Sequence, residues 1–491
     1  MSAAEATTAG SPTAATVPVI PGFHPDPSVC RVGDDYYLVN SSFEYVPGVP
    51  IWHSRDLVHW TQVGNVLTRD AQFPAARAGD SGGIYAPTLR HHDGRFWLIT
   101  SDVTDEHGGH RLFSAPAIEG PWSDAIELPE LRGIDPDLAW TDDGECLVTY
   151  CSWTDGASAA WQAAIDPDTG RVLEAPRKVW TGTGLGHTEG PHLVRHDGWW
   201  VLVAAEGGTE RGHVVSVARS RDPRGPFENA PHNPAYTHRS TEHPVQNLGH
   251  ADLVERPDGS WAAVHLGVRP RGMTPGYHVN GRETFVAEVD WVDGWPVFTA
   301  SEATLPERAW DVDDRFEALH PRWVSPRRRI EEFARLVPDG LEVDGTGDGS
   351  GVYARLQSEH WTASIELDID PGSVVHAEVR LDERHRAGVR LAGGRASAVW
   401  TVGGHVIDVG DGASDGPVGA GASVHHLEIA SVPSSTGGPD DLVLSADGRR
   451  LGIVDGRYLS TEVAAGFTGR VVGVRVERGR ALVRRVAIVE A

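Results

Sequence analysis

The chain has 491 residues, with 43 Lys and Arg against 69 Asp and Glu, a formal net charge of −26 and 40% hydrophobic residues. A chain of this length outgrows one ordinary core, so two domains are expected, and so acidic a balance argues against a surface that grips nucleic acid or an anionic membrane. Three cysteines, Cys30, Cys146 and Cys151, show no Cys-x-x-Cys spacing, which leaves neither a disulfide framework nor a zinc site and fits reduced thiols.

In chain order, residues 1–16 are rich in Ala, Thr and Ser, hold no Lys or Arg and lack the apolar core of a signal peptide. They are expected to form a disordered tail. No apolar run approaches the roughly 18 residues of a membrane span, so a cytoplasmic location is expected.

From residue 17 a hairpin motif recurs five times. The copies open as Asp26-Pro27-Ser28-Val29, Ala86-Pro87-Thr88-Leu89, Asp135-Pro136-Asp137-Leu138, Gly190-Pro191-His192-Leu193 and His250-Ala251-Asp252-Leu253. Each continues into an Asp-Gly-like turn (Asp34, Asp93-Gly94, Asp143-Gly144, Asp197-Gly198, Asp258-Gly259) and an aliphatic strand, aromatic-led in four copies. That is the strongest short-range hairpin signal. The steps between copies, 60, 49, 55 and 60 residues, suit four-stranded propeller blades with their loops. A five-bladed β-propeller is therefore expected over 17–305.

In a propeller the innermost strands ring a central channel, so residues at their starts converge from distant parts of the sequence. Asp26, Asp135, Glu189 and His250 stand at or beside those starts. Carboxylates gathered there indicate acid–base chemistry. Residues 40–50 form an aromatic-bearing loop whose Phe43 either stacks on a sugar ring or packs within a turn. Residues 82–87 deliver Tyr85 to the mouth of blade two, and the glycine-rich stretch 182–186 leads into Glu189.

Composition changes after Phe298, and residues 299–310 read as a linker. From 313 to 491 short alternating strands with Gly-rich turns and no helical period predict a jelly-roll β-sandwich. Residues 411–421 and 433–440 are expected to be exposed loops.

The opening Pro18-Val19-Ile20-Pro21-Gly22-Phe23-His24-Pro25-Asp26-Pro27-Ser28 resembles that of glycoside hydrolase family 43, in its β-xylosidase and α-L-arabinofuranosidase branch. The likeness recurs at Gly48-Val49-Pro50-Ile51-Trp52, Gly133-Ile134-Asp135-Pro136, Glu189-Gly190-Pro191-His192, Ala205-Glu206-Gly207-Gly208-Thr209, Gln246-Asn247-Leu248-Gly249-His250 and Gly281-Arg282-Glu283-Thr284-Phe285. Near the far end, Gly466-Phe467-Thr468-Gly469 is similar to the accessory sandwich of that branch.

This resemblance implies an inverting, exo-acting hydrolase that releases xylose or arabinose from short plant-derived oligosaccharides. Asp26 matches the general base, Glu189 the general acid, and Asp135 the third carboxylate that orients the acid and keeps its pKa raised. His250 and Arg282 match residues beneath and beside the sugar, with Phe43 and Tyr85 along the wall. In some relatives the histidine lies near calcium, so His250 is a candidate ligand of a structural calcium, while no cofactor is required for the reaction. Asp137 and Asp252 read as turn or supporting residues.

The chain also departs from the family pattern. Tyr85 stands where Trp is common, and residues 380–386, where a pocket-closing aromatic is sought in the second domain, contain none. Three readings stay open: a β-xylosidase, an α-L-arabinofuranosidase and a non-catalytic carbohydrate-binding propeller. The oligomeric state, a homo-oligomer included, is open as well.

Overall fold

Each of the five motifs folds as the two inner strands of a four-stranded antiparallel sheet. The computed structural model describes residues 13–104, 109–305, 310–345, 350–410 and 424–491. Blade one runs outward through Ser28–Val32, Asp35–Val39, Gly48–Ser54 and Thr61–Leu67. Blades two to five begin with the inner strands Thr88–His92, Ile134–Trp140, Glu189–His196 and Gln246–Glu255, and each adds its next three strands in sequence order. Three of the tight turns carry Asp and Gly with positive φ in succession: Asp93 and Gly94 at 49° and 73°, Asp197 and Gly198 at 45° and 72°, and Asp293 and Gly294 at 52° and 74°. That is the mirror-image turn geometry that matches strand twist, and Asp-Gly adopts it at the least steric cost.

The strands alternate, and their apolar residues fill five seams between adjacent blades. Val39, Leu89 and Phe113 belong to the seam of blades one and two, and Trp200, Leu202 and Ala160 to that of blades three and four. The ring is closed at the seam of blades five and one. There Ala14, Val19 and Ile20 pack with Leu38, Trp52, Val264 and Val286, and Ile20 and Thr284 exchange backbone hydrogen bonds at 3.1 and 3.2 Å. The N-terminal segment thus staples the first blade to the last.

Residues 13–16, expected to belong to a disordered tail, are placed in the fold. Thr13 bridges Thr304, and Ala14 donates to the Ala303 carbonyl at 2.8 Å with its small side chain buried in the seam. Residues 1–12 lie outside the described residues.

The second domain is two sheets that share one long strand, Val471–Glu490. Its first half pairs with Ser350–Arg355 and Val374–Asp382, and its second half with Gly340–Gly345 and Trp361–Ile369. Between the halves Gly479 has φ +81°, and a Cβ there would collide with Ser373, so glycine marks the crossing between layers. The facing sides enclose Trp361, Ile365, Val375, Val389, Leu427 and Val474.

Of the two loops expected to be exposed, residues 411–421 lie outside the described residues. Residues 433–440 are exposed only in part. Pro433, Ser435 and Thr436 face solvent, whereas Asp440 is buried by a two-pronged pair with Arg470 at 2.6 and 3.0 Å.

Ile20 is fully buried at the closing seam, so Ile20→Ala should cost about 2–5 kcal/mol and lower the propeller's melting temperature by several degrees. Calorimetry of the variant tests this, and melting at the wild-type temperature would show that the ring closes without the staple.

Candidate active site

Four of the five residues that open the motifs, all but Ala86, share an unusual backbone. Asp26, Asp135, Gly190 and His250 have φ of 53°, 55°, 55° and 50°, a left-handed conformation that is strained for Asp and His at about 1–3 kcal/mol each. In blades three, four and five the inner strand also slips register here, between Ile134 and Asp137, Glu189 and His192, and Gly249 and Asp252. Such bulges re-aim side chains. Here they turn successive blades' polar groups toward one channel mouth.

At that mouth the Asp26 carboxylate accepts a hydrogen bond from the Ser41 hydroxyl and another from Arg282 Nη1 at 3.0 Å. The same Arg282 nitrogen donates to Thr209 Oγ1 at 3.1 Å. His250 Nδ1 lies 3.9 Å from Asp26 Oδ1. Asp135 accepts from the backbone N–H of Gly190 at 3.1 Å, which ties it to the peptide adjoining Glu189. Glu189 itself is partly exposed, with Oε1 3.7 Å from His213 Nε2. Its approach loop is fixed from below by buried Glu206, which accepts from the Thr183 N–H and hydroxyl at 2.9 and 2.8 Å.

Burial and crowding set the charge states. Burial pushes the Glu189 carboxyl up to about 7, with Arg282 pulling against it and the charge of Asp26 adding to it. Asp135 is also raised well above the ordinary carboxylate value, by burial first and then by Glu189 and Asp26, against the Gly190 N–H and Arg282. The Asp135–Glu189 pair therefore keeps a proton near neutral pH. Burial drives His250 down to about 3, so its ring is neutral. A Cβ on Gly190 would approach His250 Nδ1 to 2.8 Å, which makes glycine the residue that lets the ring lie beneath the site.

One wall is aromatic. Phe43 and Tyr85 meet edge to face at 5.7 Å, and Phe467 of the second domain stacks on Phe43 at 6.2 Å and meets Tyr85 at 5.8 Å. The Arg282 guanidinium lies 5.3 Å from the Phe467 ring and 5.9 Å from that of Phe43. Ser81 fixes the arrangement, its hydroxyl accepting from the Phe467 N–H at 2.8 Å and its carbonyl from the Tyr85 hydroxyl at 3.1 Å. A strained cavity that gathers three carboxyl groups, an arginine and an aromatic wall is built to hold a polar ring and move protons on it.

Comparison with known proteins decides the family. The model of glycosyl hydrolases family 43 matches residues 15–296. The chain belongs to that family. It is 39% identical over 398 residues to a xylosidase/arabinosidase of Butyrivibrio fibrisolvens, covering 72% of this chain and 74% of that one. It is 38% identical to a non-reducing end alpha-L-arabinofuranosidase of Bacteroides ovatus, over 75% of this chain and 74% of its relative. Among solved structures it is similar to a xylan beta-1,4-xylosidase from Bacillus halodurans, with a TM-score of 0.86, 30% identity and coverage of 96% and 99%.

With family 43 membership the protein is a glycosidase, and the sequence-derived site residues can be placed. Asp26, Asp135, Glu189, His250 and Arg282 meet at the channel mouth, and Phe43 and Tyr85 form its wall. The aromatic of the second domain that meets Phe43 and Tyr85 is not in residues 380–386 but is Phe467, within the Gly-Phe-Thr-Gly stretch. Arg380 is buried and donates to the Tyr45 hydroxyl at 2.6 Å and to Glu383 at 3.0 Å. Asp137 and Asp252 are paired within the channel with Arg90 at 2.6 and 2.7 Å.

Ser41, Thr209 and His213 have no local signature, because a hydroxyl or a lone histidine reaches the site only through the fold. Calcium at His250 finds a poor donor set. Among the described residues no group of three or more His, Cys, Asp or Glu side chains is arranged to hold a metal. The Asp26 carboxylate nearest to His250 is already taken by Ser41 and Arg282, whereas calcium seeks six to eight oxygens.

Gly190→Ala puts a Cβ into the His250 ring at a left-handed position. It should lower kcat by about tenfold or more for about 1–3 kcal/mol of strain. Steady-state kinetics with a parallel melting curve check this, and full activity would show that the ring can yield.

Proposed function

We propose that this protein is an inverting, exo-acting glycosidase that removes single xylosyl or arabinosyl units from the ends of short plant-derived oligosaccharides, with β-xylosidase as the main activity. The observation that carries this is the arrangement of the three carboxyls, where burial and the charge of Asp26 push Glu189 up to about 7 against Arg282, beside an Asp26 carboxylate held by Arg282 and Ser41. Inversion needs such a division. One protonated carboxyl releases the leaving oxygen, and one carboxylate deprotonates water attacking from the opposite face.

In this reading Glu189 donates to the glycosidic oxygen and Asp26 takes the proton of the water. Asp135, bonded to the N–H of Gly190, orients the acid, and its charge favours the acid's protonated form. Arg282 steadies Asp26, and neutral His250 forms the floor. A binding propeller without catalysis gains nothing from three like charges in one cavity. The names of the relatives support both sugars, and α-L-arabinofuranosidase action is the alternative within the same mechanism. The aromatic wall, with one ring supplied by the second domain, narrows the site to a chain end.

Three measurements test this. Comparing 4-nitrophenyl β-xyloside with 4-nitrophenyl α-L-arabinofuranoside ranks the sugars, and inertness toward both would sink the enzymatic reading. Glu189→Gln should slow xylobiose by about 10²–10⁴-fold yet spare nitrophenyl glycosides, whose leaving group departs unprotonated, while Asp26→Asn cripples both. A first-formed sugar of retained anomeric configuration by NMR would overturn inversion.

The pH dependence has a definite sign. Glu189 must hold its proton, so wild-type kcat/KM on xylobiose should be high below about 7 and fall as pH rises through that value. That alkaline limb should vanish in Glu189→Gln. Phe467→Ala removes the wall's outer ring and should raise KM for xylobiose roughly tenfold with kcat little changed. Equal kinetics to wild type would place the ring outside the binding site.

A further inference from the structure

His213 stands immediately ahead of the strand Val214–Ser220 in blade four and is buried. Its Nδ1 lies 3.0 Å from the carbonyl oxygen of Asn247. A carbonyl can only accept, so Nδ1 carries the hydrogen and Nε2 of the neutral ring is a bare lone pair. That Nε2 is buried and has no hydrogen-bond partner among the described residues. The atom in front of it is Glu189 Oε1, at 3.7 Å. The ring cannot retreat easily, because it occupies the space left by Gly249, where a Cβ would collide with it, and the His213 N–H is tied to the Glu210 carbonyl at 3.0 Å.

We propose that His213 is the positioning residue of the general acid: its Nε2 lone pair receives the protonated carboxyl of Glu189 and disfavours the carboxylate. This rests on the reading of Glu189 as the acid. A lone-pair acceptor can be satisfied by –COOH and by no form of –COO⁻, so it favours the loaded acid and holds it in one orientation between turnovers. When Glu189 passes its proton to the leaving oxygen, carboxylate and lone pair are left facing each other without a hydrogen between them. A proton from water restores the resting state.

The other groups that face Glu189 act in known directions. Asp26 from blade one favours its proton, Asp135 from blade three is itself pushed toward its protonated form by Glu189 and Asp26, and Arg282 from blade five opposes the proton on Glu189. Burial raises the Cys151 thiol beside Asp135 and Glu189, so it carries no charge, and burial lowers His250 to about 3. Burial also takes His213 down to about 4, so its ring stays neutral over the working range. The charge state matters for the test, because a cationic His213 would pull the Glu189 pKa down and a neutral acceptor holds it up. Removing the ring therefore shifts the acid in opposite directions in the two cases.

The experiment compares His213→Asn, which keeps a donor for the Asn247 carbonyl and loses the ε nitrogen, with His213→Gln, which places an amide oxygen near the lost acceptor. The readout is kcat/KM against pH on xylobiose, or on an α-1,5-linked arabinobiose if that is the better substrate, with the matching 4-nitrophenyl glycoside alongside. For His213→Asn the alkaline limb should move about one unit toward acid. The disaccharide rate should then fall roughly tenfold at pH of about 7.5 and stay within about twofold at pH of about 5, with the nitrophenyl rate little affected. His213→Gln should restore part of the limb.

A limb that stays in place, or one that moves toward alkali, overturns the proposal. Glu189→Gln measured in parallel keeps the two readings apart, since a failure of its leaving-group dependence sinks the acid assignment and not the role of His213 alone. Should the variants fold poorly, nitrogen NMR of histidine-labelled wild-type protein decides. Nε2 of His213 should remain unprotonated from pH of about 5 to about 9, and an Nε2–H or a titrating ring there would overturn the assignment.

Discussion

One buried guanidinium holds the five blades to a common axis. Arg90, on the inner strand of blade two, donates to Asp137 of blade three at 2.6 Å and to Asp252 of blade five at 2.7 Å. It also reaches Ser28 of blade one at 3.2 Å and His192 of blade four at 3.1 Å. Ser28 in turn donates to Asp252 at 2.8 Å. Both aspartates are fully buried, and the Asp252 carboxyl stays below its ordinary value because Arg90 overcomes the opposing effect of burial. Losing one partner from such a knot leaves an unpaired buried charge, at about 3–5 kcal/mol. The hub and the active site share their strands. Ser28, Asp137, His192 and Asp252 each lie two residues beyond the left-handed Asp26, Asp135, Gly190 and His250, so the break in the strand that turns one residue to the mouth is followed at once by the residue that enters the knot. The carboxyls at the mouth are registered against each other because residues that follow on their inner strands are bonded to a single side chain.

This construction explains what could be read from the sequence. The blades were legible because each is made by local chemistry, a turn of Asp and a positive-φ Gly joining the two inner strands, and that chemistry recurs at blade-length intervals. Asp26, Asp135, Glu189 and His250 were legible because the motif begins where the inner strand begins. Arg90 was not, since nothing in Leu89-Arg90-His91 distinguishes a channel-axis arginine from a surface one. Asp137 and Asp252 looked like turn residues for the same reason, their partner lying on another blade. Ala14 illustrates the converse error, because a small residue in a polar stretch reads as tail until the seam it fills is known. Phe467 was quoted only as part of a family-like string, since its role depends on how the second domain docks.

That docking is itself chemically specific. The loop before Arg282 meets the segment before Val471 with almost no room between them, for a Cβ on Gly281 would come within 2.6 Å of Phe23 and 3.0 Å of Gly469. His278 bonds Glu462 through its ring at 2.6 Å and through its N–H at 3.0 Å. Farther round the rim, Arg327 and Arg380 both reach Asp80 across the domain boundary and share Glu383 on their own side of it. Arg282 and Phe467 are thus placed by one interface. The second domain contributes a ring beside the candidate site, and the arginine that bonds Asp26 lies next to the joint.

Burying acids to tune them has a consequence for the whole fold. Glu189 and Glu44 both titrate near 7, each pushed up by burial, against an ordinary value of 4.5. Arg282 opposes the shift at Glu189 and Arg380 opposes it at Glu44. Between those values these two groups hold more protons folded than unfolded, so their contribution to stability falls as pH climbs from about 4.5 through about 7. His24, His110, His213, His250 and His265, which burial drives below 6.5, act in the opposite sense and add stability as pH rises toward that value. The condition that loads the acid for catalysis is therefore also the condition under which the fold is least taxed by it. Near neutrality the protein works on the shoulder of both curves. Glu44 lies under the second domain, with Oε1 3.7 Å from Arg380 Nη1, and Glu189 lies in the channel, so the same rise in pH ionises one carboxyl at the domain boundary, where Arg380 receives the charge, and one at the site.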